Sequence, residues 1–220
     1  MPRRALAEHR PYLLLSLIAG VSYYFVADEA IGGLWLMLWK GLAVGFLAFY
    51  AAHRGRGRDG RILSVVFALA ALGDVLLDFS FLYAGIIFAL SNIAAIWLYV
   101  RNHRAKTTAS QKLVAVAFLV FVPAIALFMT LSFPNAVPAT GYAALIGAMA
   151  AGSWTSRFPR YRGGMGAALF VASHLLIIAR ETNHVNVDTA NLFIWPLYFV
   201  GQFLIATGVV QTIRKSRNAD

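Results

Sequence analysis

Eight long apolar runs, separated by short polar segments, constrain this chain more than any other feature of its sequence. A membrane-spanning helix needs about 20 apolar residues, and a chain of 220 residues has room for up to about eight such helices joined by short loops. The composition agrees, because 60% of the residues are hydrophobic and 13% are charged, whereas soluble proteins have roughly half and a quarter. We therefore predict an all-α, polytopic membrane helix bundle, with a single transmembrane domain over residues 1–220. The predicted spans are 11–27, 33–52, 62–77, 81–100, 113–131, 139–154, 164–179 and 192–213.

The charge pattern predicts how these spans are oriented. Every Lys and Arg except Lys40 and Arg180 lies near a terminus or in the alternate segments 53–61, 101–112 and 157–162. Positive charge near span ends stays on the cytoplasmic side, so both termini are predicted to be cytoplasmic, in a multi-pass protein of a bacterial-type cytoplasmic (inner) membrane. The same spread argues against a nucleic-acid partner despite the net charge of +10. We expect 53–61 to be a flexible basic loop and 78–80 a tight turn.

Two charged residues, Lys40 and Asp74, lie inside predicted spans. Ionisable groups at membrane depth are costly and usually functional. His174 is predicted to lie at a similar depth in the seventh span, at about 1.5 Å of rise per residue. These positions predict one polar cavity in the outer half of the bundle. Further polar residues expected to contribute to it are Asn92, Tyr198 and Gln202.

Structural explanations compete with each of these assignments. Lys40 can extend its stem to the headgroups, and Lys40 and Asp74 can form a structural ion pair. Asp78 is either a substrate contact or a solvated turn residue, and buried polar side chains in bundles often only join helices. The chain has no Cys, and its His and acidic residues lack tight ligand spacing. No metal and no cofactor are therefore expected.

Several blocks of the chain resemble the YhhN family of lysoplasmalogenase-like membrane proteins, in the same order and spacing. Lys40-Gly41 stands where that family has Lys-Pro, and 72–77 matches its Gly-Asp-x-x-Leu core. Further matching blocks are 81–88 (F-x-x-x-G-x-x-F), 142–149, 166–173 and 198–205. Two positions depart from the family. Ser173-His174 replaces its usual Ser-Asp, and Asn92 replaces its usual His.

The resemblance implies hydrolysis of the vinyl ether bond of a lysoplasmalogen or related lysolipid, giving a fatty aldehyde and a glycerophospho-base. We expect Asp74, His174 and Lys40 to be the catalytic residues of such a reaction. We expect substrate contacts from Asn92, Tyr198, Gln202, Asp78 and Ser173. Such a reaction needs a proton donor and a carboxylate to stabilise a cation. Burial favours a protonated, acidic Asp74, whereas a nearby Lys40 favours the carboxylate and leaves His174 as the proton carrier. Both assignments remain open at this point.

Two other functions are compatible with the sequence. A transporter or lipid-binding membrane protein can use Lys40 and Asp74 to hold an amphiphile or a proton, although no internal repeat typical of many transporters is evident. The replacements at 92 and 174 are also compatible with a family member that has lost its hydrolytic activity. In every case the expected partners are the bilayer and a lysophospholipid or other amphiphile.

Overall fold

The computed structural model describes residues 10–27 and 33–217, and these residues form eight α-helices and no β-strand. The all-helical prediction is therefore confirmed. A single π-helical turn, Arg160–Gly164, precedes α7. The helices are α1 (Pro11–Val26), α2 (Gly33–Gly55), α3 (Arg58–Leu76), α4 (Phe81–Arg101), α5 (Ala109–Thr130), α6 (Ala136–Thr155), α7 (Met165–Glu181) and α8 (Val187–Arg217).

Within the described part of the chain, five helical segments are long and apolar enough to cross a membrane. They are Gly33–Gly55, Phe81–Arg101, Ala109–Thr130, Arg160–Glu181 and Val187–Ser216. Helix α1 is apolar but has only 16 residues. Helix α3 carries Arg58, Asp59, Arg61 and Asp74, which lower its apolar character. The long apolar helices identify an integral membrane protein.

The prediction of a flexible loop at 53–61 is wrong. Helix α2 continues to Gly55 and α3 begins at Arg58, so only Arg56 and Gly57 join them. Gly57 has a φ of 88°, which L side chains rarely adopt. A Cβ on Gly60 would lie 2.4 Å from the carbonyl carbon of Gly55. Glycines therefore let the two helix ends touch, and the basic residues lie on an ordered corner.

Other helix ends also extend beyond the predicted spans. Helix α5 starts at Ala109 because Thr108 and Gln111 form a capping box at its N-terminus. Helix α8 starts at Val187, where the side chain of Asn186 accepts a hydrogen bond from the Asp188 backbone. The tight turn after α3 is confirmed, with the Ser80 backbone N–H donating to the Leu76 carbonyl at 2.8 Å.

The chain divides into two compact units, and the first comprises Met1–Ala94 and Ile213–Asp220. In this unit α2 and α3 are antiparallel neighbours along most of their length. Near their shared corner Gly55 touches Gly60, and further along the Ser64 hydroxyl donates to the Ala48 carbonyl at 2.9 Å. The largest buried side chains of the two helices include Leu47, Tyr50, Leu63 and Phe67. This pairing sets the register in which their polar residues meet.

The second unit comprises Ala95–Thr212 and relies on small residues for close helix packing. A Cβ on Gly147 of α6 would lie 2.6 Å from the Phe118 carbonyl oxygen of α5. In the same way, a Cβ on Gly166 of α7 would lie 2.5 Å from the Gly201 carbonyl oxygen of α8. Small residues at such crossings let membrane helices approach backbone to backbone. The α7–α8 crossing positions His174 and Tyr198, which lie further along the same two helices.

Candidate functional site

Lys40 and Asp74 lie at the same level of the α2–α3 pair in the first unit. A Cβ on Gly41 would meet the Val75 side chain at 2.5 Å and the Ala71 carbonyl oxygen at 3.2 Å. Gly41, Ala71 and Val75 therefore lie where the two helices approach each other closely. Lys40 directly precedes Gly41, and Asp74 directly precedes Val75. Asp74 is 2% exposed and Lys40 is 9% exposed. Two ionisable side chains are thus withdrawn from solvent at one level of an apolar helix pair.

Gly73, the residue before Asp74, lets a third helix, α4, pack against α3 at the level of Lys40 and Asp74. A Cβ on Gly73 would lie 3.0 Å from the Phe88 ring of α4, so glycine lets that ring pack closely on α3. Phe88 is itself buried, at 6% exposure. The Gly73-Asp74 pair therefore combines a close helix contact with a buried carboxylate, and an apolar ring packs beside it.

Asn92 and Asp78 belong to the same unit but have different environments. Asn92 is buried on α4, and its side-chain amide donates to the Phe88 carbonyl one turn earlier at 2.8 Å. Asp78 lies in the turn after α3 and is exposed. Asp74 and Asp78 therefore do not share one environment. Asp74 is buried between packed helices, whereas Asp78 is exposed.

His174 lies on α7 in the second unit, surrounded by aromatic rings. Its Nδ1 is 2.9 Å from the Phe170 carbonyl oxygen. A carbonyl only accepts hydrogen bonds, so Nδ1 carries a proton and Nε2 is the nitrogen suited to proton exchange. The ring centroid of His174 lies 4.0 Å from that of Phe170, 5.7 Å from that of Tyr142 and 6.1 Å from that of Tyr198.

Sequence reasoning included Tyr198 in the site but missed Tyr142, Phe170 and Trp195. Phe170 lies one helical turn before His174, and Trp195 lies three residues before Tyr198, so helical spacing is a usable signal for both rings. Trp195 packs on Tyr198 with their centroids 5.7 Å apart. Tyr142 comes from α6, and no local spacing connects it to α7.

Ser173 and Gln202 complete the predicted residues of the second unit. Ser173 is fully buried, and its hydroxyl donates to the Ile194 carbonyl at 2.9 Å, which joins α7 to α8. Gln202 is 3% exposed and follows Tyr198 by one turn of α8. Within the described residues, no group of three or more His, Cys, Asp and Glu side chains is placed to hold a metal ion.

Most of the chain matches one known protein family. Residues 35–209 match the YhhN family. The chain belongs to the YhhN family. The matched range begins in α2, ends in α8 and includes all eight residues predicted for the site. No curated protein and no solved structure matches the chain.

In this YhhN protein the predicted site residues belong to two different units. Lys40, Asp74, Asp78 and Asn92 lie in the first unit, and Ser173, His174, Tyr198 and Gln202 lie in the second. Each unit contains a buried group able to exchange a proton, Asp74 in one and His174 in the other. The expectation that all these residues line one cavity stays a prediction.

Proposed function

We propose that this YhhN protein is a membrane-embedded hydrolase that cleaves the vinyl ether bond of a lysoplasmalogen or a related lysolipid. The products are a fatty aldehyde and a glycerophospho-base. The observation that carries the proposal is Asp74, a carboxylate 2% exposed inside an apolar helix pair at the level of Lys40. Membership of the YhhN family, whose resemblance implies this reaction, supports the same conclusion.

We infer that all eight helices cross the membrane and that both termini are cytoplasmic. The five long apolar segments supply most of these spans. Helices α1, α3 and α6 then supply the remainder. The alternation of basic segments along the chain supports this orientation. The membrane we assign is the cytoplasmic (inner) membrane of a bacterial-type cell, where single-chain ether lipids and other amphiphiles reach the protein from the bilayer.

Asp74 can perform the whole proton cycle of the reaction. The protonated carboxyl transfers its proton to the β-carbon of the vinyl ether, which leaves an oxocarbenium ion and a carboxylate. The carboxylate stabilises the cation and then takes a proton from the water that adds to it. The resulting hemiacetal collapses to the aldehyde and the free glycerol hydroxyl. One water is consumed, and Asp74 ends protonated, as it began.

Lys40 receives a supporting role in the proposal. Burial of Asp74, at 2% exposure, favours the protonated carboxyl before the transfer, and a cation at the same level stabilises the carboxylate that forms afterwards. The proton-carrying role of His174 and the lipid contacts of Tyr198 and Gln202 stay predictions, because these residues belong to the second unit and Asp74 belongs to the first. Contacts from Asn92, Ser173 and Asp78 stay predictions, since the bonds of Asn92 and Ser173 to carbonyls already explain their burial.

A panel of lipids tests the proposed function. The purified full-length protein is incubated in detergent with a lysoplasmalogen, a diradyl plasmalogen and an acyl lysolipid, and aldehyde and fatty acid are measured. We expect aldehyde from the lysoplasmalogen and no fatty acid from the acyl lysolipid. Release of fatty acid would contradict the proposal. Saturable binding of the lysolipid with no turnover would instead favour a transporter or lipid-binding protein.

A further inference from the structure

Four arginines meet at one end of the first unit. Arg10 precedes α1, Arg54 is in the last turn of α2, Arg56 is in the link to α3, and Arg214 is in the last turn of α8. The charges of Arg10, Arg56 and Arg214 all act unfavourably on Arg54. The geometry agrees: Arg10 lies two residues before Tyr12, whose ring meets His53, Arg54 and Arg56 flank Gly55 at its contact with Gly60, and Arg214 belongs to the same unit.

Helix packing explains why these arginines are brought together. The Tyr12 ring of α1 stacks on Phe49 of α2 at 5.7 Å between centroids and meets the His53 ring edge-on at 5.9 Å. The start of α1 is thereby fixed against the end of α2, two residues after Arg10. The Gly55–Gly60 contact closes the corner that carries Arg56.

Arg54 has an unsatisfied donor within this cluster. Its Nε is shielded from solvent and makes no hydrogen bond among the described residues. Buried donors in proteins are normally paired. The only acidic residue of the segment 53–61 is Asp59.

Simpler explanations account for single arginines but not for the cluster. A basic residue at a helix C-terminus interacts favourably with the helix dipole, which suits Arg54 and Arg214 individually. The preference for basic residues on the cytoplasmic side is satisfied equally well by arginines that spread apart in water. Four like charges held together by helix packing destabilise one another unless an anion compensates them.

We propose that Arg10, Arg54, Arg56 and Arg214 form a binding site for a phosphate group. Guanidinium groups bind phosphate oxygens through forked, charge-assisted hydrogen bonds. An anionic phospholipid headgroup is the source that the surroundings favour, because Phe49, stacked on Tyr12 beside the cluster, is 58% exposed and offers apolar surface to an acyl chain. Free phosphate shares the same chemistry. The site is separate from Asp74 and does not depend on the proposed hydrolase activity.

Thermal unfolding in a phosphate-free, uncharged detergent tests the site. The full-length protein is titrated separately with phosphatidylglycerol, phosphatidylcholine and inorganic phosphate at fixed ionic strength. We expect phosphatidylglycerol to raise the Tm saturably and phosphatidylcholine to have no such effect. A saturable rise with inorganic phosphate would identify free phosphate as the source. Equal responses to the two lipids, with none to phosphate, would overturn the proposal.

Matched variants separate the cluster from general charge. Arg54→Gln and, independently, Arg214→Gln are expected to weaken binding of the stabilising ligand at least about tenfold, the loss typical of removing a charge-assisted hydrogen bond. Arg61→Gln removes the same charge from an exposed position of the same segment, and its affinity should stay close to that of the wild type. Without ligand, Arg54→Gln should not lower the Tm, because it removes repulsion. Equal effects of Arg54→Gln and Arg61→Gln would contradict the proposal.

Discussion

At the scale of single residues, Asp74 and Asp78 are the same residue type four positions apart, yet their environments are opposite. Asp74 lies in the last turn of α3 against α2, and Asp78 lies in the turn after the helix has ended. Sequence alone predicted this difference, because the apolar run ends between the two residues. A charge placed inside such a run requires compensation or a function.

Replacing Asp74 tests its proposed role as the proton donor. Asp74→Asn keeps the size and polarity of the side chain but removes the transferable proton. We expect kcat for aldehyde release to fall by about 10²–10⁴-fold, the usual contribution of general acid–base catalysis. Asp188→Asn, the same change at an exposed position in the first turn of α8, is the control and should retain activity. Comparable activity in Asp74→Asn and wild type would exclude Asp74 as the donor.

The side chains that surround His174 could not be predicted from the sequence. A polar residue in an apolar run is visible in the sequence, so His174 itself could be singled out. The contact with Tyr142 depends on how α6 packs beside α7, and periodicity does not determine which helices become neighbours. The bond of Nδ1 to the Phe170 carbonyl likewise depends on a rotamer that the sequence does not specify.

At the scale of helices, the sequence predicted that each helix exists, but it did not predict where each helix begins and ends. Each predicted span corresponds to one observed helix, because a long apolar run has few alternatives in a membrane. The ends differ where a local interaction extends the helix, such as the capping box of Thr108 and Gln111. The corner at 55–60 was missed because clustered arginines and glycines resemble a loop, whereas the glycines here allow a close contact between helix ends.

The α7–α8 crossing gives a testable consequence at this scale. A Cβ on Gly201 would lie 2.7 Å from the Gly166 carbonyl oxygen and 3.0 Å from the Phe170 backbone nitrogen. Gly201→Ala should therefore separate the helices and destabilise the protein by about 1–3 kcal/mol, the usual cost of overpacking. In thermal unfolding in detergent, its Tm should fall. Gly141→Ala, in α6 with nothing within 4 Å of the added Cβ, should leave the Tm unchanged or raise it. Equal Tm values for the two variants would contradict the close crossing.

At the scale of the whole molecule, composition and charge predicted an integral membrane helical protein, and the resemblance of several sequence blocks predicted the YhhN family. Both predictions are confirmed. Compositional periodicity does not reveal that the chain packs as two units, with divisions inside α4 and α8. Such a division arises from which side chains interdigitate along a helix. It is therefore a property of packing that the hydropathy of the segments does not encode.

Cysteine labelling tests the proposed orientation. The chain contains no Cys, so a single introduced thiol is the only reactive site. Ala105→Cys and Ser132→Cys are exposed positions before and after α5. A membrane-impermeant maleimide applied to intact spheroplasts should label the thiol at 132, whereas labelling at 105 should require permeabilisation. The reverse pattern would invert the topology, and equal labelling in intact spheroplasts would show that α5 does not span the membrane.

The central claim is that the vinyl ether is hydrolysed through protonation of its β-carbon. Turnover of a lysoplasmalogen by the purified wild-type protein in deuterium oxide tests this directly, with the aldehyde trapped and analysed by mass spectrometry. We predict one solvent deuterium at the aldehyde C2, formed at a rate that exceeds the protein-free control and is lost in Asp74→Asn. Aldehyde without deuterium at C2, or no aldehyde above the protein-free control, would contradict the account.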